Sequence, residues 1–242
     1  MKIADCGTDF VHSWVVQNRG LTVLIDTGYA EDWPHFLSRM ATVDLDPSAL
    51  DYLFLTHAHD DHAGFVNDVM EAVPGLKVIT SRKTLTGLRR GQNGPGGGVP
   101  DDDAAAVCRQ MIRDGHGRHR FPAIEEGLLS RFLWVEDGTI GEILPGAAVL
   151  ALPGHTEDSI GLLWDGALFC GDAAQNRADW PLKTTIWIGD LDAYRASWQK
   201  MIDVRPERIY PGHGEPFDAA ELERELSALA EVTLNPSIQA KK

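Results

Sequence analysis

Short apolar runs that stop abruptly at histidine or aspartate constrain this chain more than any other feature. Tyr52-Leu53-Phe54-Leu55 runs straight into Thr56-His57-Ala58-His59-Asp60-Asp61-His62. Val149-Leu150-Ala151-Leu152 breaks at Pro153-Gly154-His155-Thr156, and Arg208-Ile209-Tyr210 breaks at Pro211-Gly212-His213-Gly214. Leu168-Phe169-Cys170-Gly171 ends in Asp172, and Leu21-Thr22-Val23-Leu24-Ile25 ends in Asp26-Thr27-Gly28. Runs of this length bounded by turn residues read as buried strands. A carboxylate directly after such a strand is costly to desolvate unless it is paired or binds a metal.

The remaining pattern predicts what lies between these strands. His12–Val16 and Leu21–Ile25, joined by Asn18-Arg19-Gly20, read as a hairpin. Further strands are predicted at 76–80, 131–135, 147–152, 160–164 and 167–170. Helices are predicted at about 31–41, 190–203 and 218–232, and from His62 to Pro74-Gly75 through Phe65, Val66, Val69, Met70 and Val73. Strands interleave with helices throughout, which predicts a layered α/β domain. The 242 residues fit one domain, 1–242, with no linker to divide it. Asp101-Asp102-Asp103 reads as the negatively charged start of a helix.

Charge and composition exclude several classes. With 22 Lys+Arg against 36 Asp+Glu the net charge is −14, which makes the chain a poor candidate for binding nucleic acid, since phosphate neutralisation needs a basic face. Hydrophobic residues make up 43%, which excludes disorder. No run approaches the ~20 apolar residues of a membrane span, and the first residues lack a signal-peptide core. The expectation is a soluble cytoplasmic protein that engages no membrane. Cys6, Cys108 and Cys170 have no metal or redox spacing and read as reduced thiols.

The histidine cluster carries the chemistry. In an extended segment alternate residues share a side, so His57, His59 and Asp61 can converge on one point while His62 points to another. Imidazoles with carboxylates form a ligand set suited to zinc and compatible with iron or manganese. His155 and His213 each follow Pro-Gly, and glycine lets backbone approach a crowded centre. His12, His35, His116 and His119 read as ordinary hydrogen-bonded or surface residues, and Asp60 as a solvated neighbour.

Taken in order, these motifs resemble the metallo-β-lactamase superfamily over roughly residues 10–217. The resemblance implies a four-layer αββα sandwich with metals where the strand ends of both sheets meet. It assigns His57, His59 and His155 to a first metal, Asp61, His62 and His213 to a second, and Asp172 to a bridge between them. Asp26 would steady the ligand loop. Two divalent ions, zinc foremost, would share a bridging hydroxide as the attacking group, with Asp61 holding it and moving its proton. The implied reaction is hydrolysis of an ester, thioester or lactone, as in the glyoxalase II and lactonase branch. Two alternatives stay open. One is a persulfide dioxygenase with a single iron on His57, His155 and Asp172, and the other is a phosphodiesterase of the same fold.

Residues 81–145 match no motif, and within them about 81–125 read as an insert. Residues 81–120 hold eight basic and four acidic residues, a local charge of +4 that leaves the rest of the chain at −18. The eight are Arg82, Lys83, Arg89, Arg90, Arg109, Arg113, Arg118 and Arg120. This Gly-rich basic insert could form a lid that draws in a small anionic acyl substrate, with Arg89 and Arg90 as its contacts. Trp180 and Trp187 are candidate pocket walls.

Overall fold

In the computed structural model the expected hairpin forms, with Arg19-Gly20 as its turn. It describes residues 1–92, 94, 96–115, 119–178, 180 and 182–235. Strand β1 (Lys2–Asp5) pairs antiparallel with β2 (Trp14–Asn18), and β2 with β3 (Leu21–Ile25). From β3 the sheet continues in parallel through β4 (Tyr52–Phe54), β5 (Lys77–Ser81) and β6 (Phe132–Val135). Parallel strands need covered crossovers. Those crossovers carry α1 (Trp33–Thr42), α2 (Asp60–Ala63), α3 (Val66–Ala72), α4 (Leu85–Arg90) and α5 (Asp102–Arg113).

The second sheet runs in the order β11 (Arg208–Pro211), β10 (Ala167–Gly171), β9 (Ile160–Trp164), β8 (Ala147–Ala151), β7 (Gly138–Thr139). It is antiparallel except for the β10–β11 pair. Helix α6 (Leu191–Asp203) crosses between β10 and β11, and α7 (Ala219–Glu231) follows.

Three apolar clusters set four layers. Val16, Val23, Ile25, Phe54 and Ile79 from the first sheet meet Val149, Leu162, Trp164 and Phe169 from the second. The other face of the first sheet packs Leu24, Leu53 and Val78 on Phe36, Met40, Val69 and Met70 of the helices. The other face of the second packs Leu168 and Ile209 on Tyr194, Trp198, Met201, Leu222 and Leu229. Central strands buried on both faces therefore appear as unbroken apolar runs, the pattern seen at Leu21–Ile25 and Leu168–Cys170. This is the αββα order that the resemblance implied.

The segment 81–125 is not one loop. Gly98 exchanges backbone hydrogen bonds with Ile188 at 2.9 Å, and Asp101 caps α5 by accepting from the Ala104 amide at 2.7 Å. Helix α5 packs Ala104 and Ala105 with Val99, Cys108, Trp180, Ile186 and Trp187 as a small separate core. His116 and Arg118 lie outside the described residues. Among the described residues no helix is long and apolar enough to cross a membrane.

Candidate metal centre

Asp26, His57, His155, Asp172 and His213 follow the ends of β3, β4, β8, β10 and β11, so one rim of the sandwich gathers them. Three imidazoles form a first cluster: His59 Nδ1 lies 3.1 Å from His57 Nε2 and 2.8 Å from His155 Nε2. Asp61, His62 and His213 form a second, with His213 Nε2 3.2 Å from Asp61 Oδ2. Asp172 stands between them. Its Oδ2 is 3.5 Å from His155 Nε2, and its Oδ1 is 3.3 Å from His62 Nε2 and 3.5 Å from His213 Nε2.

The alternation argument holds for His57 and His59 but not for Asp61. The backbone turns into α2 at Asp60, and Asp61 swings away to face His213. Its place in the second cluster is the one the resemblance assigned.

Neighbours fix the orientation of the His57, His62, His155 and His213 rings. Asp26, at φ +56°, accepts from the Thr56 amide and hydroxyl, both at 2.7 Å, and from His62 Nδ1 at 2.9 Å. The Thr56 hydroxyl, having donated to Asp26, accepts from His57 Nδ1 at 2.9 Å. His155 Nδ1 donates to the Trp187 carbonyl at 2.7 Å and His213 Nδ1 to that of Phe10 at 2.6 Å. These partners select the tautomer that turns Nε2 of these four rings inward, whereas His59 presents Nδ1. The buried Asp158 carboxylate accepts from the Ala58 amide at 3.0 Å and so holds the His57–His59 turn.

The donor set fits divalent metal. His62 Nε2 and Asp172 Oδ1 are buried yet make no hydrogen bond. Two ring nitrogens at 2.8 and 3.1 Å from His59 Nδ1 present, with it, lone pairs with too few protons to share. Burial, reinforced by the neighbouring histidines, pushes His57 and His59 well below the usual imidazole range. Burial likewise lowers His155. In the second cluster burial opposes charge, but Asp61, Asp172 and Asp26 push His62 up, and Asp172 and Asp61 push His213 up. The first cluster thus favours neutral ligands, and the second a concentration of positive charge. Gly212 leaves the space required: a Cβ there would lie 2.6 Å from His62 Cε1 and 2.8 Å from Asp172 Oδ1. Gly154 is needed for another reason, since a Cβ would strike the α6 backbone at Tyr194 at 2.3 Å.

Asp60 is not a solvated neighbour. It is 4% exposed, and its carboxylate accepts from His119 Nδ1 at 3.1 Å. The first turn of α2 directs it inward, and His119 from the insert covers it, stacked 6.0 Å from the His59 ring. His12 fits its ordinary reading, bonded to Asp5 at 2.7 Å and the Gly214 carbonyl at 2.9 Å, and His35 bonds the Gly7 carbonyl at 3.0 Å. Arg89 is engaged by Glu126 at 2.7 and 3.0 Å, while Arg90 is exposed at the end of α4. Trp180 and Trp187 pack beneath α5, and Trp187 reaches the centre through its carbonyl. Sequence reasoning passed over Thr56, Asp158, Gln175, Phe10 and Tyr29. Only Thr56 carries a signal, as a polar residue set between the apolar run Tyr52–Leu55 and His57.

A two-sheet sandwich with paired histidine–carboxylate clusters on its rim defines a class of metal-binding α/β proteins. The chain belongs to the metallo-β-lactamase superfamily, whose family profile matches residues 6–213. It is 29% identical over 194 residues to the beta-lactamase-like protein 2 homolog of Drosophila melanogaster, covering 79% of this chain and 54% of that protein. It is 26% identical over 159 residues to hydroxyacylglutathione hydrolase 1 of Vibrio vulnificus, covering 66% and 45%. The chain thus spans about half the length of these relatives. Among solved structures, an archaeal superfamily protein from Sulfolobus tokodaii superposes with a TM-score of 0.65 at 20% identity, covering 99% of this chain and 90% of that one. A family protein from Thermus thermophilus gives 0.66 at 20% identity, covering 94% and 78%. These two likenesses establish the fold.

Proposed function

We propose that the protein is a metal-dependent hydrolase of an ester, thioester or lactone. His57, His59 and His155 would hold one divalent ion, Asp61, His62 and His213 a second, and Asp172 both. The observation that carries this reading is the Asp172 carboxylate, which turns one oxygen to each cluster. Similarity to hydroxyacylglutathione hydrolases supports a thioester among the candidate bonds. When bound, ions in such a pair supply Lewis acidity that activates water and polarises the oxygen under attack.

The chain's own groups do the rest. Burial opposes ionisation of Asp61, yet His62 and His213 hold its carboxyl far below the usual range. It is therefore an anion at neutral pH, placed to take a proton from the attacking water and pass it to the leaving group. Burial, then Asp61 and Asp60, keep the nearby Tyr29 phenol protonated. The excess positive charge of residues 81–120 suits an anionic acyl group, with exposed Arg90 the side chain to test because Glu126 already holds Arg89. Two clusters that share Asp172 suit a pair of ions better than one, which favours the hydrolase over a single-iron dioxygenase.

Zinc-loaded protein tested on thioesters, lactones and phosphodiesters checks the proposal. Turnover of a thioester or lactone is expected, with kcat falling at least ~100-fold in Asp61→Asn. Turnover of phosphodiesters alone, or one iron per chain with oxygen uptake on a persulfide, would overturn it.

A further inference from the structure

The Asp172 carboxylate serves two clusters only while its plane is held in one rotation. A carboxylate on a short side chain turns easily about its last bond, whose torsional preference is broad. A quarter turn would withdraw Oδ2 from His155 and Oδ1 from His62 together. Backbone geometry alone does not stop this, because Asp172 lies in the turn just after β10.

One buried side chain restrains it. Gln175 is 2% exposed, and its Nε2 donates to Asp172 Oδ2 at 3.1 Å and to Thr185 Oγ1 at 3.2 Å. The Thr185 amide donates in turn to the Tyr194 hydroxyl oxygen at 3.0 Å, which ties the pair to α6. The amide cannot be turned over, since its oxygen would then face the carboxylate. In this orientation Gln175 Oε1 is buried without a hydrogen bond. An unpaired buried acceptor is destabilising, so the side chain is poorly chosen for stability alone.

We propose that Gln175 is a positioning residue that locks the rotation of Asp172, so that one oxygen serves each metal cluster. The inference rests on the two-cluster reading above. The lock does not touch substrate; it acts through Asp172 on metal affinity.

Gln175→Met keeps the volume and removes the donor, and Gln175→Glu keeps the shape and replaces the donor with an acceptor. Stepwise zinc binding to each protein, measured by competition with a chromophoric chelator, is read beside the melting temperature of the metal-free form. Loss of an outer hydrogen bond to a ligand lowers metal affinity by about 10–100-fold, and that fall is expected in both variants. Metal-free Gln175→Met should melt close to the parent, because loss of the two hydrogen bonds from Nε2 is offset by removal of the unpaired Oε1. Unchanged zinc binding in Gln175→Met overturns the lock. So does a metal-free melting temperature that falls by many degrees, since Gln175 would then be a packing residue. If the parent chain takes up no zinc, the two-cluster reading fails, and the inference fails with it.

Discussion

At Gly212 a single methyl group would intrude on both the His62 ring and the Asp172 carboxylate. The backbone there needs no left-handed conformation, so Gly212→Ala adds volume to the centre without backbone strain. The expected result is at least a ~10-fold loss of zinc affinity, with unfolding stability lowered by no more than the roughly 1–3 kcal/mol typical of overpacking. Equal zinc affinity, read by chelator competition, would show that the space between His62 and Asp172 is not a cation's seat. At this scale the sequence was most legible where residue type and strand ending coincide. His57, His59, His62, His155, Asp172, His213 and Asp26 all stand out for that reason. Residues that act through a partner distant in sequence left little trace. Asp158 holds the amide of Ala58, 100 positions away. Asp60 was misjudged because its partner, His119, comes from an insert without recognisable pattern.

Helices and strands meet less visible requirements at their ends. Arg131, just before β6, donates to the carbonyls of Met70 at 2.7 Å, Val73 at 3.0 Å and Pro74 at 2.8 Å, where α3 stops. Arg195 of α6 serves α7 alike, donating to Ala230 at 2.8 Å and Val232 at 2.9 Å. Helix-end carbonyls have no partner within the helix, and charged donors to them are worth about 1.5–3 kcal/mol each net. Arg131→Leu should therefore lower unfolding stability by about 2–3 kcal/mol, seen as a reduced urea midpoint at constant slope, both with and without zinc. A variant equal to the parent would mean that water replaces the guanidinium at no cost. Central strands were readable because burial on both faces leaves only apolar residues. The edge strands β1 and β7 were not, since Lys2–Asp5 mixes polar and apolar residues and Gly138–Thr139 is too short for any period.

Across the molecule, three thiols are kept from ionising. Burial, with help from Asp5, pushes Cys6 from 9.0 up to about 11, and burial pushes Cys108 to about 11. Cys170 is raised further, again chiefly by burial. The unfolded chain loses these protons first, so the stability tied to the neutral thiols is complete below pH 9 and drains away between pH 9 and about 11. Urea unfolding across that window should fall more steeply for the parent than for a Cys6→Ala, Cys108→Ala double variant; parallel curves would contradict the assignment.

The two sheets contribute unequally placed candidate ligands to one centre. His57, His59, Asp61 and His62 follow β4 of the first, while His155, Asp172 and His213 follow β8, β10 and β11 of the second. An ion seated there would clasp the halves of the sandwich across the open end of their shared core. Free zinc at 100 times its dissociation constant would add about 2.7 kcal/mol, or about 5–10 °C in melting temperature for a chain this long. A melting point indifferent to zinc and chelator would refute the clasp. With it in place, the chain's lifetime against proteases would follow the ion supply of its surroundings, so that starvation for metal would remove the molecule as well as silence it.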